Sequence, residues 1–385
     1  MDNAATTPLD PQVFQAMKPY FLGDYGNGAS LHTLGRAANS AIEDAREKIA
    51  KKIGAQPSEI YFTSGATEAN NWILNAYAGK GKIVISRIEH PSIMETAQAM
   101  EKEGVAVEYL DVDEHGVVRL DQLGRLVAAP TPIGLVSIMT ANNEIGTIQP
   151  IAEIAKMCRD AGVPFHTDAT QAIGKMDIDV EKLGVTAMSF SSHKLFGPKG
   201  AGALFVRKDA LGIVRRKDAA PLVNFKPFIR GGFQETGLRG GTQNTAAIVG
   251  FGEAIDIDHK VEYVSELRDY LIQRIQTSIP HAYLNGHPSL RLCGNANFSF
   301  KAIEGESILF MLDSAGVAVS TGSACSSVSL EPSYVLFAMG VDIALSMGSV
   351  RFSLSRHNTK QEIDFVVEQL SDIVEKLRAM SPLEV

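Results

Sequence analysis

Short apolar runs that end in polar residues alternate with amphipathic stretches along the first half of the chain. Runs of this kind, bounded by turn residues, are typical of buried strands, whereas apolar positions that recur every three or four residues predict helices. Strands alternating with helices predict a largely parallel sheet in an α/β fold. The predicted strands are Glu59–Thr63, Lys82–Ser86, Val105–Val112, Ile133–Met139, Val163–Asp168, Thr186–Phe190 and Gly202–Arg207.

Helical patterns separate these strands and continue into a second region. One long helix, Thr245–Ile279, is predicted to connect a large α/β domain (residues 12–255) to a small α+β domain (residues 1–11 and 256–385). The other predicted helices are Pro11–Phe21, Leu34–Ile53, Ser64–Tyr77, one beginning at Pro91, Ile151–Ala161, Glu306–Ala315 and Thr359–Arg378. The strands predicted in the small domain are Asn295–Phe300, Val317–Thr321 and Ser349–Ser355.

Polar side chains follow five of the predicted strands of the large domain. They are Ser64, His90, Asn143, Asp168 and Lys194. In a parallel sheet the carboxyl ends of the strands share one edge, which is where α/β proteins bind ligands. One polar residue at a strand end means little, but five at successive ends predict a single site.

Lys194 lies where a buried strand meets the segment Ser191–Gly200, which is broken by Gly197, Pro198 and Gly200. A lysine that reaches into a cleft from such a place has a lowered pKa and can act as an amine nucleophile that forms a Schiff base. An exposed lysine in a glycine turn is the commoner meaning of a lone lysine. The segment alone leaves both interpretations open.

The strand–glycine–helix junction at Ser64–Glu68 is a candidate phosphate site. Free N–H groups at the start of a helix, beside small residues and a threonine hydroxyl, suit an anion. Alternatively, Ser64 or Thr67 caps the helix and Glu68 joins its first turn. A second glycine-rich segment with arginine and threonine, residues 229–244, is another plausible anion-binding loop.

Composition excludes several classes of protein. With 45% hydrophobic and 21% charged residues among 385, the chain is globular, and it contains no apolar stretch long enough to span a bilayer. A net charge of -8, with both signs interspersed, argues against a nucleic-acid surface. Three widely spaced cysteines and the absence of a signal peptide at the start predict a reduced, cytoplasmic protein.

Taken together, these groups are what a pyridoxal 5'-phosphate site requires. Lys194 would form the Schiff base, and Asp168 would keep the pyridine nitrogen protonated. Gln171 would bond the ring hydroxyl, and His90 would stack on the ring or move protons. Each also has an ordinary structural explanation: a cap for Asp168, a turn amide for Gln171, a core histidine for His90. The combination favours the cofactor.

Five motifs in order along the chain strengthen this interpretation. They are Asp2–Thr7, Thr63–Glu68, Asn142–Gly146, His166–Ala169 and the Lys194 segment. The chain therefore resembles the cysteine desulfurases of iron–sulfur cluster assembly, which belong to the class V aminotransferase family of fold type I. The resemblance covers almost the whole chain. It implies a homodimer with pyridoxal phosphate between a large and a small domain.

The resemblance also implies residue roles. Arg351 would bind the substrate carboxylate, because a guanidinium can donate two parallel hydrogen bonds to it. Asn27 and Asn143 would also lie near the substrate. Alternatively, Arg351 is a surface arginine. Asn143 would also lie near the ring. The residues implied to hold the phosphate are Ala66, Thr67, Ser191, His193 and, from the other subunit, Thr242.

Cys325 lies in Ser320–Ser327, a run of small residues with no apolar pattern to bury a thiol. It is therefore predicted to be a nucleophile, whereas Cys158 and Cys293 are predicted to be inert packing. The following segment, Glu331–Leu336, resembles the subgroup that hands sulfur to a scaffold protein. The implied reaction converts L-cysteine to L-alanine and leaves a persulfide on Cys325, with Lys194 as base and His90 serving the thiols.

Some features depart from the family pattern, and rival functions stay open. Phe233 replaces a usual third glycine, the loop Arg215–Phe228 is longer than usual, and little chain follows the last helix, so scaffold docking is the least secure expectation. The rivals within the fold are a selenocysteine lyase and an aminotransferase. A metal-binding protein that uses His166, Asp168 and His193 is a rival of another class, although their spacing matches no known ligand motif.

Overall fold

The computed structural model describes residues 1–208, 225–321 and 332–382. Its strands are short and most are fully buried. They are β1 (Ile60–Thr63), β2 (Lys82–Ser86), β3 (Val107–Leu110), β4 (Ile133–Ser137), β5 (Phe165–Asp168), β6 (Ala187–Ser191), β7 (Gly202–Val206), β8 (Ala282–Asn285), β9 (Asn295–Phe300) and β10 (Ser349–Ser353).

A seven-stranded sheet in the order β1-β7-β6-β5-β4-β2-β3 forms the centre of the fold. The strands from β6 to β3 pair in parallel, and β7 runs antiparallel to both β6 and β1. Because β7 is reversed against both neighbours, β1 points the same way as β6. The carboxyl ends of β1, β2, β4, β5 and β6 therefore share one edge, as predicted.

Helices cover the sheet and separate its strands. The helices are α1 (Pro11–Met17), α2 (Pro19–Leu22), α3 (Thr33–Ile53), α4 (Ala66–Tyr77), α5 (Pro91–Lys102), α6 (Leu120–Ala128), α7 (Ile151–Asp160), α8 (Val180–Leu183), α9 (Thr245–Ala254), α10 (Val261–Ser278), α11 (Gly305–Ser314), α12 (Tyr334–Ala338), α13 (Ile343–Met347) and α14 (Lys360–Met380). Within the described part of the chain, none of them is long and apolar enough to cross a membrane.

Both faces of the large sheet are buried. In β2, Val84 belongs to the apolar cluster on one face, whereas Ile83 and Ile85 belong to the cluster on the other, where Trp72 of α4 packs. A strand buried on both faces reads as a continuous apolar run because neither set of alternating side chains meets water. That is why Lys82–Ser86 was predicted with the bounds that are observed.

The C-terminal part contains the antiparallel sheet β10-β9-β8 with its own core. Phe298 and Phe352 are fully buried there against α10, α11 and α14. By contrast, α12 packs on the core of the large sheet, through Val335 and Leu336. The second α+β region is thus observed, and one of its helices reaches across to the first.

Three predicted elements are wrong. The long helix is two helices, α9 and α10, separated by residues 255–260, of which Lys260 adopts a left-handed conformation (φ 49°) as the N-cap of α10. The first helix is divided at Pro19, whose missing N–H starts α2 instead of continuing α1. Val317–Thr321 forms only an isolated bridge from Ser320 to Arg351, and β8 was not predicted.

Candidate active site

Lys194 lies just beyond β6, in a single 3-10 turn formed by Ser192–Lys194. Its side chain is partly buried, and its Nζ donates hydrogen bonds to the carbonyl oxygens of Ala4 (2.7 Å) and Ala5 (2.6 Å). The N-terminal segment thus lies against the end of the sheet, where Thr7 also donates to the carbonyl of His193 at 2.9 Å. Lys194 points into the protein, and an exposed lysine in a turn is excluded.

Asp168 ends the neighbouring strand β5 and is buried. Its Oδ1 accepts the backbone N–H of Thr170 at 2.9 Å, which is the local turn that the ordinary explanation expects. Its Oδ2 accepts Nδ2 of Asn70 at 2.7 Å. Both of these donors are neutral, so these two contacts stabilise the carboxylate by hydrogen bonds and not by an opposite charge.

His90 caps α5 at the end of β2. Its Nδ1 accepts the backbone N–H of Ser92 at 3.1 Å and lies 2.9 Å from the Ser92 hydroxyl. Burial lowers the pKa of His90; the charge of Asp168 opposes this, and that of Lys194 adds to it. The three groups that end β2, β5 and β6 are therefore within electrostatic reach of one another, which the sequence predicted.

The start of α4 is the junction that was predicted to be an anion cradle. Gly65 is the N-cap and provides no side-chain bond, so the Ser64 and Thr67 caps are not formed. Glu68 instead accepts the N–H of Ser64 at 2.8 Å and forms an ion pair with Arg239 at 2.9 Å. A side chain on Gly202 would come within 2.5 Å of the Gly65 backbone, so the turn packs closely on the sheet.

Other predicted cofactor residues border this cradle. Ser191 is buried at the end of β6, and its Oγ lies near Gly65. Nδ1 of His193 lies 3.1 Å from Thr6 Oγ1, and burial, together with the charge of Lys194, lowers the pKa of His193 to about 4. Ala66 and Thr67 are the first residues of α4.

Gln171 is buried close to Lys194. Its Nε2 donates to the carbonyl of Ala4 at 2.9 Å, and its Oε1 accepts Nζ of Lys175 at 3.3 Å. Burial lowers the pKa of Lys175 to about 8. The amide of Gln171 thus donates to the same carbonyl oxygen, that of Ala4, as Lys194 does. This bond uses one of the two Nε2 hydrogens of Gln171.

Arg351 is buried in β10, so the surface-arginine alternative is wrong. Its Nη1 donates to the carbonyl of Asn143 at 2.9 Å and its Nη2 to Asp2 Oδ1 at 3.0 Å. Nε of Arg351 and Oδ1 of Asn143 are buried without a hydrogen-bond partner in the described structure. The small sheet thus presents a guanidinium to the turn after β4.

Two predicted residues lie elsewhere, and a third lies outside the described residues. Asn27 is exposed and accepts the N–H of Ala29 in a turn, and Thr242 is exposed near it, since Gly28 approaches Gln243. Cys325 falls in residues 322–331, which are not described.

The other two cysteines are packing residues, as predicted. Cys158 is buried on α7, and burial raises the pKa of its thiol to about 12. Cys293 is also buried, with its pKa raised for the same reason. Neither is a reactive thiol in this structure.

His166 is not available as a metal ligand. Its Nδ1 lies 2.8 Å from Ser137 Oγ and its Nε2 lies 2.9 Å from Ser189 Oγ, so both ring nitrogens are engaged inside the sheet. Asp168 and His193 have their own partners, described above. The metal-binding alternative therefore does not fit this arrangement.

Sequence reasoning missed Asn70, Ser92 and Glu144. Asn70 lies one turn after Ala66 on α4, so helical spacing from the predicted anion cradle could have found it. Ser92 is two residues after His90, within reach of a capping contact. Glu144 gave no signal, because nothing in the sequence shows that its carboxylate is buried.

The arrangement is that of a known family. The Aminotransferase class-V family profile matches residues 1–366. The chain belongs to this family. A cysteine desulfurase IscS of Dictyoglomus turgidum is 47% identical over 99% of this class V chain and 96% of its own length. A solved NifS-like protein is 36% identical, with a TM-score of 0.86, over 98% of this chain and 99% of its own.

SspA in complex with cysteine, another solved structure, is 33% identical to this class V protein, with a TM-score of 0.80. It covers 93% of this chain and 99% of its own. The resemblance to the cysteine desulfurases and the fold type I architecture are thus confirmed. The family uses pyridoxal 5'-phosphate, so this chain is a pyridoxal-phosphate enzyme.

The described residues fit that cofactor. The site combines a partly buried amine, a buried carboxylate bonded by neutral donors and a helix start without a side-chain cap. Oδ1 of Asn143 and Oγ1 of Thr170 are buried there without partners among the described residues. Unpartnered buried acceptors and donors of this kind are expected beside a polar ligand.

Proposed function

We propose that this class V enzyme is a cysteine desulfurase that converts L-cysteine to L-alanine and collects the sulfur on Cys325 as a persulfide. The observation that carries the proposal is the placement of Lys194, Asp168 and His90 beyond the ends of β6, β5 and β2, along one edge of the sheet. The likeness to IscS cysteine desulfurases over the full chain supports the choice of reaction.

Each residue has a role that its position suits. Bound pyridoxal phosphate withdraws electrons from the substrate and weakens its carbon–sulfur bond. Lys194 would hold the cofactor through Nζ and would act as the base for the proton on the substrate Cα. The Asp168 carboxylate holds a proton on the cofactor nitrogen, and Gln171 bonds its hydroxyl. Cofactor contacts are also assigned to Ala66, Thr67, Asn143, Ser191, His193 and Thr242.

The substrate is held by its carboxylate. Arg351 is the proposed partner, because a guanidinium offers two parallel N–H donors to a carboxylate. Its position beside Asn143 supports this role, and Asn27 is a further proposed substrate contact. His90 is proposed to exchange protons with the thiols, since burial lowers its pKa and keeps the ring neutral.

The sulfur transfer balances without an external oxidant. The Cys325 thiolate attacks the substrate sulfur, the carbon–sulfur bond breaks, and its electron pair passes to the carbon skeleton, which leaves as alanine after protonation. The products of cysteine and one thiol are alanine and one persulfide. The persulfide sulfur is then delivered for iron–sulfur cluster assembly, with a scaffold protein as the proposed acceptor.

The proposal includes the molecule's setting. We propose a cytoplasmic homodimer in which Thr242 completes the other subunit's site; the exposure of Thr242 supports this. Residues 12–255 would form the large domain, and residues 1–11 with 256–385 the small one. The separate apolar cluster around the small sheet supports that division.

One experiment tests the reaction. The holoenzyme is incubated with L-cysteine, and alanine, sulfide and protein persulfide are followed together. We expect equal amounts of alanine and transferred sulfur, no product with Lys194→Ala, and no sulfur transfer with Cys325→Ser. The matched control Lys156→Ala changes an exposed lysine of α7 and should behave as wild type.

The same experiment separates the rivals. An aminotransferase would yield a keto acid and keep its activity in Cys325→Ser. A selenocysteine lyase would release no alanine from L-cysteine, in the wild type or in Cys325→Ser. Either result would contradict the desulfurase.

A further inference from the structure

Asn70 is a fully buried amide that touches two of the groups at the sheet edge. Its Nδ2 donates to Asp168 Oδ2 at 2.7 Å and to Ser92 Oγ at 2.8 Å. A side-chain amide carries two N–H hydrogens, and these two bonds use both. A single residue of α4 therefore joins the end of β5 to the start of α5.

The orientation of the amide is determined by its partner. An ionised carboxylate only accepts hydrogen bonds, so the atom facing Asp168 must be the nitrogen. The other atom, Oδ1, is consequently buried with no hydrogen-bond partner among the described residues. A buried acceptor without a partner destabilises the fold. Such a loss of stability is expected at residues whose conformation is determined by a functional site and not by packing.

The bond to Ser92 extends the network to His90. Since Ser92 Oγ accepts from Asn70, its hydroxyl hydrogen is free to point at Nδ1 of His90, 2.9 Å away. Nδ1 also accepts the backbone N–H of Ser92 at 3.1 Å. A ring nitrogen that accepts two hydrogen bonds carries no proton. The neutral imidazole therefore bears its proton on Nε2.

The position of Asn70 on α4 links the network to the anion cradle. Asn70 is four residues after Ala66, so the two lie on one face of the helix, one turn apart. A shift of α4 would move the amide and the free N–H groups together. Asp168 and His90 would then follow through their hydrogen bonds.

We propose that Asn70 is a positioning residue that orients the Asp168 carboxylate and, through Ser92, fixes the His90 ring with its proton on Nε2. The inference rests on the proposed function, since it takes Asp168 and His90 to be the groups that meet the cofactor. It does not need Asn70 to contact cofactor or substrate. Through its hydrogen bonds, this buried amide holds in place two groups that follow different strands.

The test uses holoenzyme labelled with 15N-histidine. His90→Gln identifies the His90 signal, and nitrogen shifts report which ring nitrogen is protonated. In the wild type we expect the proton on Nε2. A proton on Nδ1 would contradict the network, whether or not the enzyme proves to be a desulfurase.

Variants test the positioning role. Asn70→Ala should alter the absorption spectrum of the bound cofactor and its pH profile and lower kcat about 10- to 100-fold, as loss of an orienting partner does elsewhere. KM for cysteine should stay within about twofold, because Arg351 is untouched. Ser92→Ala should change the spectrum less, since Asp168 keeps its Asn70 bond and Nδ1 keeps the backbone N–H.

The matched control is Asn75→Ala, which removes an exposed asparagine from the same helix and should leave all these properties unchanged. An Asn70→Ala holoenzyme with the wild-type spectrum, cofactor affinity and kcat would overturn the proposal. If that variant does not fold, Asn70→Asp, of nearly the same shape, is judged by the same readouts. A wild type that bound cofactor but did not desulfurate cysteine would overturn only the proposed function.

Discussion

At the scale of single residues, the site depends on polar groups that are buried and paired across distant parts of the chain. Glu144 is an example outside the predicted set. Ser333 Oγ donates to its Oε2 at 2.6 Å, and its backbone carbonyl accepts Nδ2 of Asn295 at 3.1 Å. Glu144 thus joins the turn that carries Asn143 to α12 and β9, near Arg351.

Replacing Glu144 by glutamine should make stability less sensitive to pH. Burial raises the pKa of Glu144 from 4.5 to about 7, against the opposing Ser333 bond and Arg351 charge. Between these values the folded chain holds a proton that the unfolded chain has released, so stability falls as pH rises through this window. Between about pH 5 and about pH 8, the free energy of unfolding of Glu144→Gln should rise by roughly 2–3 kcal/mol relative to that of the wild type.

Urea unfolding at the two pH values measures this difference. The amide can still accept the Ser333 bond, so the expected gain comes from removing the buried charge. Glu153→Gln on α7 is the control, because that side chain is exposed. If the difference in unfolding free energy between Glu144→Gln and the wild type does not change with pH, the pKa of Glu144 is the same in the folded and the unfolded chain. The prediction would then be wrong.

The sequence predicted which strand ends meet at the sheet edge better than it predicted the hydrogen bonds between them. Lys194, Asp168 and His90 were found because each ends an apolar strand, and strand ends in parallel sheets converge. Asn70 was missed because its partners, Asp168 and Ser92, are far from it in the chain. Contacts of this kind follow from packing of helices on a sheet, which spacing along one element does not show.

At the scale of elements, prediction succeeded where one physical signal dominated. Lys82–Ser86 and Asn295–Phe300 were predicted to the residue, the first from three successive apolar residues and the second from apolar residues at every other position. The apolar run Thr245–Ile279 was predicted as one helix because its interruption has no proline or glycine. The break covers residues 255–260 and ends at Lys260, a residue type that rarely adopts a positive φ.

The loop that carries Thr242 is held to the large sheet by an ion pair. Arg46 of α3 donates to both carboxylate oxygens of Glu235, at 2.7 and 3.0 Å. Glu235 also accepts the N–H of Phe62 in β1 at 3.0 Å. Both side chains are nearly inaccessible, with 9% and 1% of their surface exposed, so the pair is desolvated.

Removing one member of this pair should destabilise the fold strongly. Glu235→Ala removes the bidentate partner of the buried Arg46 guanidinium and leaves it Glu43, whose side chain is 49% exposed, as its ion-pair partner among the described residues. Losing one member of a buried ion pair typically costs about 3–5 kcal/mol. Lys156→Ala breaks an exposed ion pair with Asp160 and should cost less than about 1 kcal/mol. Denaturant unfolding of the two variants compares them. Equal losses would mean that the Arg46–Glu235 pair contributes no more than a surface pair.

At the scale of the whole molecule, large apolar side chains are exposed around the proposed subunit contact. Leu31 and Phe233 are each 89% exposed, and Tyr25 is 69% exposed. Phe233 lines a pocket of about 480 Å³ together with Gly28 and Ala29, and Leu31 follows Ala29 closely in the chain. Exposed apolar groups gathered in this way are typical of a protein interface. Asn27 and Thr242 lie on the same surface.

The double variant Leu31→Asp, Phe233→Asp should therefore be monomeric and should lose its cofactor. Two carboxylates at a contact would have to be desolvated without partners, which opposes association. If Thr242 of each subunit completes the other's phosphate site, dissociation weakens cofactor binding although Lys194 and Asp168 are unchanged. Light scattering gives the mass, and visible absorbance after gel filtration gives the retained cofactor.

The control is Phe310→Asp, which places a charge on another exposed aromatic position, 65% exposed on α11. It should remain dimeric with a full complement of cofactor, because α11 packs with the small sheet, away from the Phe233 pocket. A double variant that is monomeric but retains its cofactor would separate the two claims. That result would support the proposed interface but would contradict the role of Thr242, because cofactor binding would then not depend on the other subunit.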